Sequence, residues 1–170
     1  MKTMKLLGRG AFTKAYLMDN GKVLLKTCDP IKECMANSWF PDSELFPRLV
    51  WIDLGIYEME YYPRTKSLKS SLEPGQYAIY TALRGLKAPY TKNDNDLYSA
   101  WYELFDSLED DKLKLVMQDA LGACSNYGKD IGFEISPRNV AVRDGKLVLL
   151  DCFFSVSKLR EVRERQYGQY

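Results

Sequence analysis

The stretch that most limits what this chain can fold into is Ile131–Phe154, IGFEISPRNVAVRDGKLVLLDCFF. It holds two short apolar runs, Asn139–Val142 and Leu147–Leu150, joined by Arg143-Asp144-Gly145-Lys146. Asp-Gly between β-favouring runs predicts a tight hairpin, because both turn residues tolerate positive φ. Glu134 precedes the hairpin, Asn139 opens it and Asp151 leaves it. Pro137 stiffens the loop between Glu134 and Asn139. Two carboxylates and a carboxamide should therefore meet at one end of a rigid ribbon. Oxygen donors presented this way suit a hard cation such as Mg2+, which keeps waters and phosphate oxygens in its shell.

A glycine-rich segment opens the chain. Gly8 and Gly10 flank Arg9 in KLLGRGAFTKAYLM, with Phe12 and Tyr16 following. Glycines let backbone amides approach a phosphate closely. Apolar strands are expected on both sides of this loop, and Asp19-Asn20-Gly21 predicts a second hairpin turn into a strand over Lys22–Thr27. Asp29-Pro30 reads as the start of a short helix over 29–40. The run 45–54 predicts a turn and a strand, and the alternation of IYEMEYY over 56–62 a half-buried strand.

From Ser67 to Tyr127 the pattern is helical. One segment begins at Pro74. A second carries Leu97, Trp101, Leu104, Phe105 and Leu108, and a third carries Leu113, Val116, Met117, Ala120, Leu121 and Cys124. These apolar positions are core, and Gly128 ends the last helix. A short amphipathic helix is expected after Phe154.

Composition removes several classes of function. There is no histidine, so Ser-His-Asp and Cys-His catalysis are excluded. The four cysteines, at 28, 34, 124 and 152, lack Cys-x-x-Cys spacing and read as reduced packing residues, not a zinc site. The 24 basic and 23 acidic residues balance, which argues against nucleic acid or an anionic membrane as the main partner. No stretch has signal or transmembrane length, so a soluble, intracellular protein is expected.

The order of these features resembles the protein kinase superfamily in a very short form. Glu134, Asn139 and Asp151 fall where kinases place the catalytic-loop acid, the Asn five residues on and the metal-binding Asp. Ile135 and Pro137 match the same loop, and Asp151-Cys152-Phe153 is similar to the Asp-Phe-Gly motif. GRGAFTKAY resembles the kinase glycine-rich loop, with Thr13 in place of its third glycine. Gly132 and Phe133 stand where His and Arg are usual, and Glu134 stands where Asp is. More narrowly, LGRGAFTKAY and FEISPRNVAVRDGKLVLLDCFFSVS resemble the early Ser/Thr kinases of short-tailed, T-odd-type bacteriophages.

The resemblance implies an α+β, minimal bilobal kinase-like fold, with a small antiparallel N-lobe sheet over 1–62 and a reduced helical C-lobe over 63–170. It implies a Ser/Thr protein kinase acting with ATP and Mg2+ on host proteins in the cytoplasm of an infected bacterium. Gly8, Arg9, Gly10, Phe12 and Lys26 would hold ATP phosphates, and Glu60 and Tyr61 would offer backbone groups to adenine. Asn139 and Asp151 would hold Mg2+, and Glu134 would orient or deprotonate the acceptor hydroxyl, with Gly132 lending its loop backbone freedom. Glu33, or else Glu44, would pair with Lys26. The lack of Arg at 133 implies no control by a phosphorylated activation loop. A binding-only pseudokinase, a small-molecule phosphotransferase and a structural domain with a coincidental motif are the alternatives.

Overall fold

A computed structural model describes residues 4–168. Its first part is an antiparallel sheet of five strands: β1 (Lys5–Arg9), β2 (Thr13–Leu17), β3 (Val23–Thr27), β4 (Val50–Asp53) and β5 (Ile56–Met59), in the order β1-β2-β3-β5-β4. Helix α1 (Ile31–Ala36) lies in the connection from β3 to β4. The hairpin turns form where Gly21 and Gly55 adopt positive φ, at 78° and 69°. Beyond the sheet come α2 (Leu68–Ser71), α3 (Pro74–Arg84), α4 (Leu97–Asp106) and α5 (Asp111–Cys124). Two short ribbons follow, β6 (Ile131–Phe133) with β9 (Phe153–Ser155), and β7 (Val140–Arg143) with β8 (Lys146–Leu149), before the final helix α6 (Val156–Tyr167). The architecture is the expected small α+β, two-lobed one: an antiparallel sheet, then a helical lobe carrying the ribbons.

The two lobes bury very different cores. The sheet closes over Val23, Leu25, Leu49 and Tyr57. The helical lobe is centred on Phe105, Met117, Leu121 and Cys124, all 0% exposed. Aromatic rings join the helices to the ribbons: Phe133 meets Phe105 edge-on at 5.1 Å and Phe153 at 4.9 Å between centroids. Such contacts add to the area that these rings bury. Phe133, standing where a kinase carries Arg, is thus a core residue.

Ile31 and Leu45 belong to the larger core although they precede residue 62. The segment around α1 therefore ties the sheet to the helical lobe, and residues before 62 do not share one core. The expected lobe limits at residues 1 and 170 lie outside the described residues.

Helix starts follow local chemistry. Asp110 accepts from the backbone N–H of Leu113, and Ser155 from that of Lys158, each satisfying an orphan donor of the first turn. The chain passes from β9 directly into α6 through this Ser155 cap. Three of the four cysteines are buried, and Cys28 is exposed. Burial pushes the Cys34 thiol up to about 12 and raises Cys124 and Cys152 as well, so these three are inert packing groups.

Candidate active site

The hairpin is built on its turn. Asp144 and Gly145 take φ of 49° and 76°, so the ladder runs from Val140↔Leu149 to Arg143↔Lys146. On the opposite side of the loop, β9 returns along β6, pairing Gly132 with Phe154 and Phe133 with Phe153. Backbone bonds then extend each ribbon by one step past its strands. Glu134 donates its N–H to the Cys152 carbonyl at 2.9 Å, and the Asn139 carbonyl accepts from Leu150 N–H at 2.8 Å. Glu134, Asn139 and Asp151 are brought to one wall of a cleft by these bonds.

That cleft has a volume of about 1040 Å³, enough for a nucleotide and part of an acceptor. Its upper wall is the glycine hairpin, with Gly8, Arg9, Gly10 and Thr13, and the sheet residues Ala15, Leu25 and Met59. The hairpin is closed tightly by Gly10 N–H donating to the Thr13 carbonyl at 2.8 Å. The linker after β5 contributes Tyr62 to Lys66, and α3 contributes Tyr77, Tyr80 and Arg84.

Lys26 is not on this cleft. β3 turns Val23 and Leu25 inward at 2% and 6% exposure, and the two-residue period sends Lys26 to the other face. There its ammonium sits 5.5 Å from the Tyr16 ring centroid. The lysine that lines this cleft is instead Lys32 of α1, 3% exposed, whose Nζ lies 2.8 Å from Asp151 Oδ1 and 2.8 Å from the Leu150 carbonyl. Burial disfavours the Lys32 ammonium, but Asp151, with Asp29 behind it, holds its pKa above the ordinary value.

Neither expected glutamate pairs with Lys26. Glu33 lies near Tyr127 and helps raise its pKa, and Glu44 forms an ion pair with Lys146 of the hairpin. A second acid near Lys32, behind Asp151, is Asp29. It is 3% exposed, and its Oδ1 accepts from Ile31 N–H at 3.1 Å while Oδ2 has no hydrogen-bond partner among the described residues. Burial raises its pKa to about 6, against the opposing pull of the Ile31 amide and of Lys32.

The other expected nucleotide contacts divide. Gly8, Arg9 and Gly10 line the cleft, whereas Phe12 lies outside its lining, against Phe154 with ring centroids 6.4 Å apart. The Glu60 side chain pairs with Arg143 at 3.2 Å and Tyr61 is exposed; the cleft lining here is Met59 and Tyr62, on either side of the Glu60–Tyr61 backbone. Gly132 does not lend the loop freedom. It is buried in β6, and a Cβ there would meet Phe154 Cζ at 2.4 Å. Glycine is needed at 132 because the Phe154 ring lies on it.

Lys32 and Asp29 were missed by reasoning from the kinase order, which places the lysine on the strand. The signal was present: strand parity puts Lys26 beside Leu24 on the outer face, and Asp-Pro followed by Lys32 sets a cation in the first turn of a helix whose Ile31 and Cys34 are apolar.

A divalent cation fits the donor set. Asp151 is 40% exposed at its side chain, and the Asn139 carboxamide makes no hydrogen bond to protein among the described residues. Two hard oxygen donors facing an open cleft suit a metal that completes its shell with water and phosphate. No cluster of three His, Cys, Asp or Glu residues able to hold a metal occurs among the described residues, so a fully protein-made cage is not what they provide. No helix among the described residues is long and apolar enough to cross a membrane.

No protein-family model matches the chain, and no curated protein matches it. Similar solved structures include the streptomycin–ATP–APH(2")-IIa ternary complex, at 13% identity and TM-score 0.41, covering 91% of this chain and 68% of that one. ADP-bound aminoglycoside phosphotransferase APH(2'')-Ib is similar at 12% identity and TM-score 0.41, with the same coverage of 91% and 68%. The gentamicin–APH(2")-IIa complex is similar at 14% identity and TM-score 0.42, covering 98% of this chain and 77% of that one. At these identities and scores the likeness says nothing of what this chain acts on.

Proposed function

We propose that this chain is an ATP-dependent phosphotransferase of the kinase-like type, and that its acceptor is a Ser/Thr hydroxyl of a protein. The observation that carries this reading is the grouping on one cleft of Glu134, Asn139, Asp151 and Lys32 beneath the glycine hairpin. In the reaction the bond from the γ-phosphorus to the β,γ-bridging oxygen breaks, and a bond from the acceptor oxygen to the γ-phosphorus forms. The acceptor proton goes to Glu134, and ADP leaves with the bridging oxygen.

Each residue has a share in this. The amides of Gly8 to Gly10 and the Arg9 guanidinium receive phosphate oxygens. Lys32, buried and charged, supplies the point charge expected of a kinase lysine. Asn139 and Asp151 would hold Mg2+, which when bound offsets the charge on the phosphates. Glu134 is exposed, and its side chain has no protein hydrogen bond among the described residues, so it is free to take an acceptor hydroxyl. The sequence motifs favour bacterial host proteins as acceptors, in the manner of the early phage kinases. A small hydroxylated molecule is the second reading, favoured by the direct passage of β9 into α6, which leaves little chain between them to hold a peptide.

The test is transfer of labelled γ-phosphate from ATP, with Mg2+, to the protein itself, to bacterial lysate proteins and to small hydroxylated acceptors. Labelled lysate proteins that vanish with Asp151→Asn support the protein kinase. Label found in small molecules alone supports the second reading. ATP binding without transfer to any acceptor points to a pseudokinase.

A further inference from the structure

The chain as a whole is balanced in charge, but the cleft is not. Of the 24 basic residues seven line it, against two of the 23 acidic ones, Glu134 and Asp151. Lys32 and Asp151 neutralise each other. Six further cations remain: Arg9, Arg64, Lys66, Lys69, Arg84 and Arg138. None of the six has a carboxylate partner among the described residues. Arg84 is held in place by donating to the Tyr80 hydroxyl at 2.8 Å.

ATP does not account for this excess. Once a metal has neutralised part of the triphosphate, about two net negative charges remain, and Arg9 on the glycine hairpin is positioned for the phosphates. The other five belong to the helical side of the cleft. Arg64 and Lys66 lie in the linker from the sheet, Lys69 is in α2, Arg84 closes α3, and Arg138 sits in the Glu134–Asn139 loop where an acceptor hydroxyl would lie.

These five cations are exposed at the mouth and not enclosed. A small-molecule site buries most of its ligand. Exposed, unpaired cations instead suit a ligand that stays largely in water and is steered by charge. From this charge complementarity we propose that the helical rim of the cleft is a docking surface for an acidic peptide, presenting a Ser or Thr flanked by Asp and Glu to Glu134. The inference rests on the phosphotransferase reading only for which residue is modified; docking itself does not depend on it. It also excludes polycationic acceptors.

The test is fluorescence anisotropy with three labelled peptides containing the same Ser, flanked by acidic, neutral or basic residues. The variants are R64E/K66E/K69E, its milder form R64Q/K66Q/K69Q, and K5E/K87E/K129E as a charge control away from the cleft. The acidic peptide should bind at least tenfold tighter than the neutral one and weaken as salt is raised. R64E/K66E/K69E should lose at least tenfold of that affinity, and the Gln form a smaller part of it. ATP affinity should stay within twofold, and the control variant should bind like wild type. Equal or tighter binding of the neutral or basic peptide would overturn the proposal. So would an unchanged affinity in both rim variants, an equal loss in the control, or displacement of the peptide by a single-stranded oligonucleotide that binds more tightly. Peptide binding without phosphate transfer would leave docking intact and sink the enzyme reading; transfer to neutral peptides without acidic preference would do the reverse.

Discussion

Lys32 Nζ and Asp151 Oδ1 lie 2.8 Å apart, joining the helix that follows the third strand to the residue that leaves the hairpin. Lys32 is 3% exposed at its side chain and Asp151 is 40% exposed, so the lysine depends on this partner more than the carboxylate does. Lys32→Ala should cost about 1–3 kcal/mol of stability, below the value for a fully buried pair because water reaches Asp151. It should also weaken ATP binding by at least tenfold. Lys26→Ala, on the outer face of the sheet, should change stability by no more than about 0.5 kcal/mol and leave ATP binding as it is. Urea unfolding and calorimetric titration of both variants check this, and the reverse ranking would restore Lys26 to the site.

In the proposed reaction Asp151 would serve two cations in turn, Lys32, with which it pairs here, and a metal. In wild type, Mg2+ should therefore tighten ATP binding. In Asp151→Asn that dependence should vanish, while the metal-free affinity should not fall, because Lys32 is released towards the phosphates. ATP titrations with Mg2+ and with EDTA read both quantities. A metal response in Asp151→Asn as large as in wild type would place the metal elsewhere.

The sequence was legible where local rules and tertiary structure agree. The Asp144-Gly145 turn, the Gly21 turn and the apolar spacing around Phe105 and Met117 each follow from a short-range rule, and each is found. The convergence of Glu134, Asn139 and Asp151 was legible because a rigid hairpin leaves few other arrangements. What was not legible depends on which side of an element faces the cleft. Lys26 and Lys32 are both lysines near the third strand; parity places Lys26 outside, but the burial of Lys32 comes with its pairing to Asp151, 119 positions away, which no local pattern records. Gly132 was misread for a related reason. Its need for space comes from Phe154, 22 positions away, and no local pattern records that contact.

Gly132→Ala should therefore destabilise the protein through overpacking. The added Cβ would sit 2.4 Å from Phe154 Cζ, which no rotation of the methyl relieves. A cost of about 1–3 kcal/mol is expected in urea unfolding. Phe154→Leu in the same chain should recover much of it. If the double variant is no more stable than Gly132→Ala alone, the ring is not the cause.

Asp29 should make stability fall with rising pH over a defined window. Its folded pKa, raised by burial, is about 6, against an ordinary value of 3.8. A carboxyl that holds its proton more tightly when folded contributes stability that is full below about 3.8 and lost as pH rises through about 6. Above that, an ionised Asp29 is a buried charge whose Oδ2 has no hydrogen-bond partner among the described residues. Asp29→Asn should thus be more stable than wild type at pH 7.5, by on the order of 1–3 kcal/mol, with the difference shrinking towards pH 4. Denaturant midpoints at pH 4.5, 6 and 7.5 measure this. An Asp29→Asn variant less stable than wild type at pH 7.5, with the gap closing towards pH 4, would mean that Lys32 pairs with Asp29 strongly enough to reverse the burial effect.

The reach of Glu134 tests whether this site does chemistry. Its backbone is pinned from two directions: its N–H is bonded to the Cys152 carbonyl at 2.9 Å, and the preceding strand is held under the Phe154 ring. The loop therefore cannot slide to make up for a side chain of different length. Glu134→Gln keeps the length and removes the base, and it should lower phosphate transfer by about 10²–10⁴-fold. Glu134→Asp keeps the base but withdraws it by about one bond. Although the kinase pattern carries Asp here, this backbone is set for Glu, so Asp should lose roughly 10–100-fold. ATP affinity should be unchanged in both, because Glu134 is assigned to the acceptor and not to the nucleotide. Transfer by Glu134→Asp at the wild-type rate would show that the reach of this carboxylate does not limit the reaction. Equal transfer by Glu134→Gln and wild type would remove Glu134 from the chemistry, leaving catalysis to positioning and charge alone.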